Sequence, residues 1–555
     1  YKQKIRGVIL NGTNKGKIVD FSNEYTYTGM LKQKYHKGDK VLLNGSENNV
    51  GSSIQCVKRD TELIILLGLL ILVLMMIAGK KGLLTIVTVG INIVIFTAGF
   101  LKSGDDADVV AICNKMVIFF AIATLIGLNG IHRKTWAALL STICVLAMIM
   151  GIFDVVISHS AELDYSTMEY LGSIDNPDEI FHAEILLSGL GAIMDVAVAI
   201  AVALSEIVTK RPEVTFRELF RSGREIGYDI MGTMINVLLF VFGCGLIPMC
   251  VIRMNNSVRF MTIIKLHIPC ELCRFFIESI GITGNTSIYP DHICDDEIND
   301  KEGEEDMLMI LGLILLFLIM IIGGDRGVIS LIALVGNMLL LSLAIWLMAA
   351  GAPVLLVTIG MGIIISCVTL FYQNGTNEKT KSAFAAVLIT MTVLFFFIYM
   401  VVWRSEAGGL NEIQAAEDDV LYYNMNLDIN MRNVATAVII LSTLGAVLDM
   451  ALTVTTSVYE VSIHKPEMKL TELVESGMQI GREVIGTTVN TLLFAYLGES
   501  LLLFTYLKMQ NYSLELLLNS KILFQNFASM IFGAIACVMV MPIAAVLMAK
   551  MLAVK

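Results

Sequence analysis

Long apolar runs separated by short polar stretches dominate the chain after residue 60. About 20 apolar residues in helical form cross a bilayer. The pattern therefore predicts thirteen membrane-spanning helices, six before a central acidic stretch and seven after it. The predicted spans are 63–79, 83–101, 109–128, 136–156, 185–208, 226–250, 307–322, 328–350, 354–372, 383–403, 434–461, 484–506 and 524–548.

The first 60 residues follow a different pattern. Short apolar runs, such as those at 6–10 and 40–44, are separated by Asn-Gly and Gly-Asp pairs, which favour turns. We therefore expect a small β-sheet or barrel-like module here. The alternative is a partly ordered tail outside the membrane.

Composition favours a membrane protein and argues against other classes. The 555 residues are 56% hydrophobic and 16% charged, with a mean hydropathy of +0.74, whereas soluble chains carry about 25% charged residues. A net charge of −11 argues against nucleic acid as a partner. We expect no cofactor and no metal, because no GxxxxGK[ST] run occurs and Cys270 and Cys273 lack further ligands in pattern. No nucleophile stands beside a base, so we do not expect an enzyme.

Loop charges predict the orientation in the membrane. The loops at 80–81, 133–134 and 210–224 are basic, whereas those at 102–108 and 158–182 are predominantly acidic. Because Lys and Arg near helix ends favour the cytoplasm, the basic loops are predicted inside and the N-terminal module outside. The expected location is a plasma membrane.

Two parts of the chain repeat one another. Asn92 and Lys134 recur 245 residues later as Asn337 and Lys379. Further on the offset becomes 254, where LGAIMD at 190–195 recurs as LGAVLD at 444–449. A register kept over such a span indicates a duplication.

These patterns predict an all-α polytopic membrane protein with two homologous multi-helix halves, plus a small N-terminal extramembrane β module. The predicted segments are the extracytoplasmic module 1–60, a first half 61–284 of about six spans, an acidic linker 285–306, and a second half 307–555 of about seven spans. We expect the halves to contact each other pseudo-symmetrically within the lipid bilayer.

Polar residues inside the spans are the main functional candidates. Asp195 lies mid-span, and Glu206 follows it by eleven residues, which returns the side chain to nearly the same helix face. The next helix carries an acid, a threonine and an asparagine spaced four and three apart, and therefore on one face. Both patterns recur in the second half. The transport-pathway candidates are Asp195, Asp449, Glu206, Glu460, Asp229, Glu483, Thr233, Thr487, Asn236 and Asn490.

Glycines beside these acids predict close helix packing. They are Gly191, Gly445, Gly223, Gly227, Gly477 and Gly481. A structural alternative stays open for the acids. Asp195 and Asp449 could simply hydrogen-bond between helices, and Glu206 and Asp229 could be solvated or paired at the cytoplasmic boundary.

The motif LGAIMD at 190–195, followed by Glu206 and by SGxxxGxDxxGTMxN at 222–236, resembles the YibE/F family of bacterial multi-spanning membrane proteins. The N-terminal module, with KGDKVL at 37–42, is similar to that of YibE, and the second half resembles the shorter partner YibF. The resemblance implies a bacterial polytopic membrane protein, often presumed to be a permease. It differs in two respects, because no membrane anchor precedes the module in this sequence and no final span follows Gly281.

Two functions remain open. The first is a secondary transporter or permease with an ion- or proton-responsive pathway between the halves. The alternative is a non-transporting membrane scaffold or receptor whose external β module binds a protein or peptide partner.

Overall fold

Helices follow the apolar runs through most of the chain. The computed structural model describes residues 1–12, 14–26, 29, 34–46, 49–102, 109–159, 177–267, 269–285, 303–411, 414, 420, 422–424, 427, 429–501, 504 and 513–553. The predicted linker 285–306 falls largely in 286–302, outside the described residues.

The N-terminal module consists of two antiparallel hairpins. Strand β1 (Lys2–Val8) pairs with β2 (Ile18–Glu24), and β3 (Val41–Ser46) pairs with β4 (Asn49–Val57). The expected β structure is therefore present, as separate two-stranded sheets.

The helices form two sets that we name by their order in the chain. The first helix set comprises α1 (Asp60–Ala78), α2 (Lys80–Lys102), α3 (Val109–Asn129), α4 (Arg133–His159), α5 (Pro177–Lys210), α6 (Phe216–Gly245), α7 (Ile247–Asn255), α8 (Phe260–His267) and α9 (Pro269–Asn285). The second helix set comprises α10 (Gly303–Ala349), α11 (Val354–Cys367, continued by a π-helical turn Val368–Tyr372), α12 (Glu378–Ser405), α13 (Met431–His464), α14 (Leu470–Glu499), α15 (Leu514–Asn519) and α16 (Lys521–Ala553).

Among the described residues, eleven helices are long and apolar enough to cross a membrane. Helix α10 accounts for two of the predicted spans, because its backbone leaves the helical region at Gly324. Helix α14 is not among the eleven, since acids and hydroxyl side chains interrupt its apolar run.

Glycine permits the same chain reversal in both sets. Gly79, between α1 and α2, has φ 55° and ψ −124°, and Gly324 has φ 53° and ψ −133°. A side chain is strained in this region, whereas glycine adopts it readily. Three residues later, Gly82 and Gly327 lie against the carbonyls of Leu74 and Ile319, where a Cβ would not fit. These glycines therefore let the first two helices of each set pack closely.

Arg59 joins the module to one end of the helices. Its guanidinium donates to the carbonyls of Ser405 (3.0 Å), Glu406 (3.2 Å) and Asn519 (2.8 Å), and the residue is 2% exposed. The start of α1, the end of α12 and the start of α16 therefore lie at one end of the bundle. We call it the β-module end.

Candidate functional site

The helix sets exchange one helix each. Helix α14 of the second set packs along α5 and α2 of the first, and α6 of the first set packs along α13 and α10 of the second. Helix α6 begins with a capping box in which Thr215 and Glu218 hydrogen-bond each other's backbone N–H groups. The exchange places the predicted polar faces of α6 and α14 against the opposite set.

The mid-span aspartates meet threonines from the opposite set. Thr487 Oγ1 and Thr488 Oγ1 of α14 each lie 3.0 Å from Asp195 Oδ1. Thr233 Oγ1 of α6 lies 3.1 Å from Asp449 Oδ1. Asp195 is 3% and Asp449 6% exposed.

Each threonine hydroxyl has a second acceptor on its own helix. Thr487 Oγ1 lies 2.7 Å from Val484 O, and Thr233 Oγ1 lies 2.8 Å from Ile230 O. A hydroxyl has one proton and can donate to one of these acceptors at a time. The contact between the sets is therefore one of two available hydrogen-bond states.

An asparagine pair lies on the β-module side of each aspartate. Asn92 Nδ2 donates to Asn490 Oδ1 (2.8 Å) and to Thr124 Oγ1 (2.9 Å). In the same way, Asn337 Nδ2 donates to Asn236 Oδ1 (2.7 Å) and to Thr369 Oγ1 (2.9 Å). Within the described part of the chain, the buried Oδ1 atoms of Asn92 and Asn337 have no hydrogen-bond donor.

A lysine pairs with the third member of each polar face. Lys134 of α4 forms an ion pair with Glu483 of α14, and Lys379 of α12 forms one with Asp229 of α6. Asp229 also lies 3.6 Å from Arg326. All three predicted residues on α6 and on α14 therefore contact the opposite set.

The remaining predicted acids also form contacts between the sets. Ser476 of α14 donates to Glu206 Oε1 (2.9 Å), and Lys210 lies 3.5 Å from the same oxygen. Ser222 of α6 lies close to Glu460 of α13 and hydrogen-bonds His464 Nε2 of the same helix (3.0 Å). Both carboxylates lie at the end of the bundle opposite the β module.

The predicted packing glycines differ in what they face. Gly191 and Gly445 lie where the sets touch, with a Cβ on Gly191 calculated to stand 2.9 Å from Thr491 O and one on Gly445 3.2 Å from Phe240 Cδ2. Gly223 and Gly477 face Leu204 and Val458 of their own sets. Gly481 faces Met541 of α16, and Gly227 is buried within α6.

Sequence reasoning missed a second buried charged cluster. Arg274 of α9 lies 2.6 Å from Glu184 Oε1 and 3.3 Å from Glu278 Oε1. The sequence contains signals that would have found it. Arg274 and Glu278 are four residues apart on one helix, and Glu184 precedes Asp195 by eleven residues, as Asp195 precedes Glu206.

A third group lies where the module meets the helices. Among the described residues, His36, Asp39 and Glu406 place ligand atoms within 4.8 Å of one another, as a metal site would require. Arg432 Nη2 lies 2.6 Å from Glu406 Oε2 and supplies positive charge there. Burial raises the pKa of the Glu406 carboxyl to about 7, although Arg432 lowers it in part. A cavity of about 350 Å³ beside this group is lined by Tyr25, Lys34 and Arg432 among others.

Long apolar helices with a buried polar layer define a multi-spanning membrane protein. The family model described as YibE/F-like protein matches residues 66–287 and 311–554, and that of the YibE/F family N-terminal domain matches residues 1–57. The chain therefore belongs to the YibE/F family, as the motifs predict. No curated protein and no solved structure matches the chain.

Proposed function

We propose that this protein is a secondary transporter with an ion- or proton-responsive pathway between the two helix sets. One observation carries the proposal. Asp195 and Asp449 are buried mid-helix, and each is held by threonine hydroxyls of the opposite set. Carboxylates inside a membrane are costly and mark ion or proton pathways by default.

The threonine contacts suggest how ion binding would couple to movement. An ionised aspartate accepts a hydrogen bond from the threonine hydroxyl, and this bond links the sets. When the aspartate takes up a proton, it becomes a donor, and the threonine hydroxyl donates instead to its own backbone carbonyl. Protonation or cation binding therefore changes the contacts that hold the sets together.

The same proposal includes two predictions from the sequence. We propose that the helix sets arose by duplication, which is supported by the two segments that match one family model and by contacts that recur at the 245- and 254-residue offsets. We also place the β module outside a bacterial plasma membrane, because the loop charges alternate in that sense. The protein is then a non-enzymatic carrier that uses no cofactor.

Charge movement in reconstituted protein tests the proposal. Rapid pH or cation jumps should produce a transient current in wild type that is lost in the double variant Asp195→Asn plus Asp449→Asn. The matched control is Asp154→Asn, which removes a carboxylate whose side chain is 65% exposed. A current that persists in the folded double variant, or its absence from wild type under every ion gradient, would refute the proposal.

A specific observation favours a second candidate, a receptor or scaffold. The cavity between the β module and the helices offers Lys34 and Arg432 as donors and the Tyr25 ring as an apolar wall, which suits a small polar or peptide ligand. Deleting residues 1–60 should abolish activity in that case, whereas neutralising the central aspartates would only loosen packing. The transporter proposal predicts the reverse.

A further inference from the structure

Three charged side chains are buried together at the β-module end of the first helix set. Glu184 is 4% exposed, Arg274 1% and Glu278 0%. Ser188, one turn after Glu184 on α5, lies against Gly498 near the end of α14. That end of α14 lies beside the start of α16, because Ser500 accepts a hydrogen bond from Asn526. This group, which we call the Glu278 cluster, therefore lies between the module end and Asp195.

The Glu278 cluster contains more acid than base. Arg274 Nη1 lies 2.6 Å from Glu184 Oε1, and Arg274 Nε lies 3.3 Å from Glu278 Oε1. The guanidinium packs against the Phe242 ring, 4.1 Å from its centroid, which keeps it from water. One guanidinium balances one carboxylate, so the second carboxylate is a surplus charge in an apolar environment, which is strongly unfavourable.

The hydrogen bonds of Glu278 indicate which carboxyl oxygen would take up a proton to neutralise the surplus negative charge. Its Oε1 atom accepts from Arg274 Nε and contacts the Ser188 hydroxyl, whose single proton is also within reach of Glu184 O (2.8 Å). Its Oε2 atom is buried and has no hydrogen-bond partner among the described residues. An ionised carboxylate would leave a charged Oε2 atom bare in an apolar environment, which costs more than an unpaired neutral hydroxyl at the same atom.

Among the described residues, the charged groups that face Glu278 from the neighbouring helices do not compensate for this imbalance. Glu271 on the same helix acts on Glu278 electrostatically and adds negative charge. From α4 and α5, Asp154 and His182 pair with each other. The contacts from α10 and α6 are uncharged. Gly312 of α10 lies against the Phe276 ring of α9, and Phe242 of α6 lies against Arg274.

The Glu278 cluster continues a series of acids along α5. Glu184, Asp195 and Glu206 are spaced by eleven residues, about 16 Å of helix for each step, and lie on nearly one face. The second helix set lacks the first member of this series, because Val438 stands 254 residues after Glu184. The series thus extends to the β-module end in the first set alone.

We propose that Glu278 is a proton-binding site, with the proton on Oε2, that connects the β-module end to the acids of α5. Release of the Oε2 proton to water leaves the carboxylate, and uptake restores the neutral acid. The binding part of this inference stands on the cluster itself, and its role in a pathway rests on the proposed transport function.

Infrared difference spectroscopy of the full chain tests proton binding without any need for transport. Between low and high pH, wild type should show a protonated-carboxyl band that Glu278→Gln removes and Ser188→Ala shifts, because the Ser188 hydroxyl contacts Glu278 Oε1. The matched control is Ser442→Ala, 254 residues after Ser188, whose hydroxyl donates to Ile439 O, and it should leave the band unchanged. A spectrum that neither Glu278→Gln nor Ser188→Ala alters would overturn the proposal.

Charge movement in oriented vesicles separates this inference from the proposed function. Glu278→Gln should remove the current evoked by pH jumps on the β-module side and keep the current evoked from the opposite side. If wild type gives no current but shows the Glu278 band, transport fails and the proton site stands. If wild type gives a current and Glu278→Gln leaves both currents and the band intact, the proton site fails and transport stands.

Discussion

The two helix sets agree where they touch and differ where each ends. In both sets an aspartate on one helix meets a threonine of the exchanged helix, an asparagine pair lies on one side, and a lysine ion pair lies on the other. The last helices are unlike. Helix α9 has 17 described residues and contains Arg274 and Glu278, whereas α16 has 33 residues and is apolar through its centre.

The β module adds to this difference. It is anchored by Arg59 to Ser405, Glu406 and Asn519, all of which belong to the second set. The module end of the second set is thus covered by the module, while that of the first set contains the Glu278 cluster. The shared contacts join the sets, and the unshared features distinguish one from the other.

The largest expected effect tests the feature that only the first set has. Arg274→Met removes the guanidinium that pairs with the buried Glu184 carboxylate and should lower the free energy of unfolding by about 3–5 kcal/mol. Thermal unfolding in detergent measures it. Arg259→Met, at an exposed arginine between α7 and α8, should stay within about 0.5 kcal/mol. Equal losses in the two variants would show that the Glu278 cluster does not depend on its guanidinium.

The glycines at the contact test how similar the two exchanges are. Gly191→Ala would place its Cβ against the Thr491 backbone, which cannot rotate away, and should cost about 1–3 kcal/mol. Gly445→Ala meets the Phe240 side chain at a longer distance and should cost less. Gly68→Ala, where a Cβ meets nothing, is the control for thermal unfolding. A costlier Gly445→Ala would contradict this ranking.

The asparagine pairs should respond equally. Asn92→Ala and Asn337→Ala each remove hydrogen bonds to an asparagine of the opposite set and to a threonine of their own. Hydrogen bonds between membrane helices contribute about 0.6 kcal/mol on average and up to about 1.7 kcal/mol. Double-mutant cycles with Asn490→Ala and Asn236→Ala would measure both couplings. If the two coupling energies differ by more than their errors, the two asparagine pairs do not stabilise the contact between the sets equally.

Much of the fold is predictable from sequence because a bilayer requires long apolar helices. The β structure before residue 60, the helices and the family follow from run length, turn residues and motifs. The helix reversals at Gly79 and Gly324 are less visible, since only a short Gly-x-x-Gly interval marks them.

The candidate site is predictable residue by residue but not contact by contact. Helical periodicity places Asp229, Thr233 and Asn236 on one face, and the structure keeps them so. Periodicity does not show which helix that face contacts, so it does not predict the exchange of α6 and α14 between the sets. Arg274 and Glu278 were missed because their short helix precedes a polar stretch and lies outside every predicted span.

The smallest expected effect concerns the module contact that only the second set makes. Burial raises the pKa of Glu406 from its usual 4.5 to about 7, so the docked state favours the protonated acid. Docking should therefore be strongest below pH 4.5 and weaken as pH rises through about 7, because the carboxylate that forms is poorly solvated in the docked state. Hydrogen exchange of β1–β4, compared at each pH with Glu406→Gln, measures this, since the glutamine does not titrate and intrinsic exchange cancels. If wild type and Glu406→Gln have the same pH profile, titration of Glu406 does not affect docking of the module on the second set. The Glu278 cluster would then be the remaining difference between the β-module ends of the two sets.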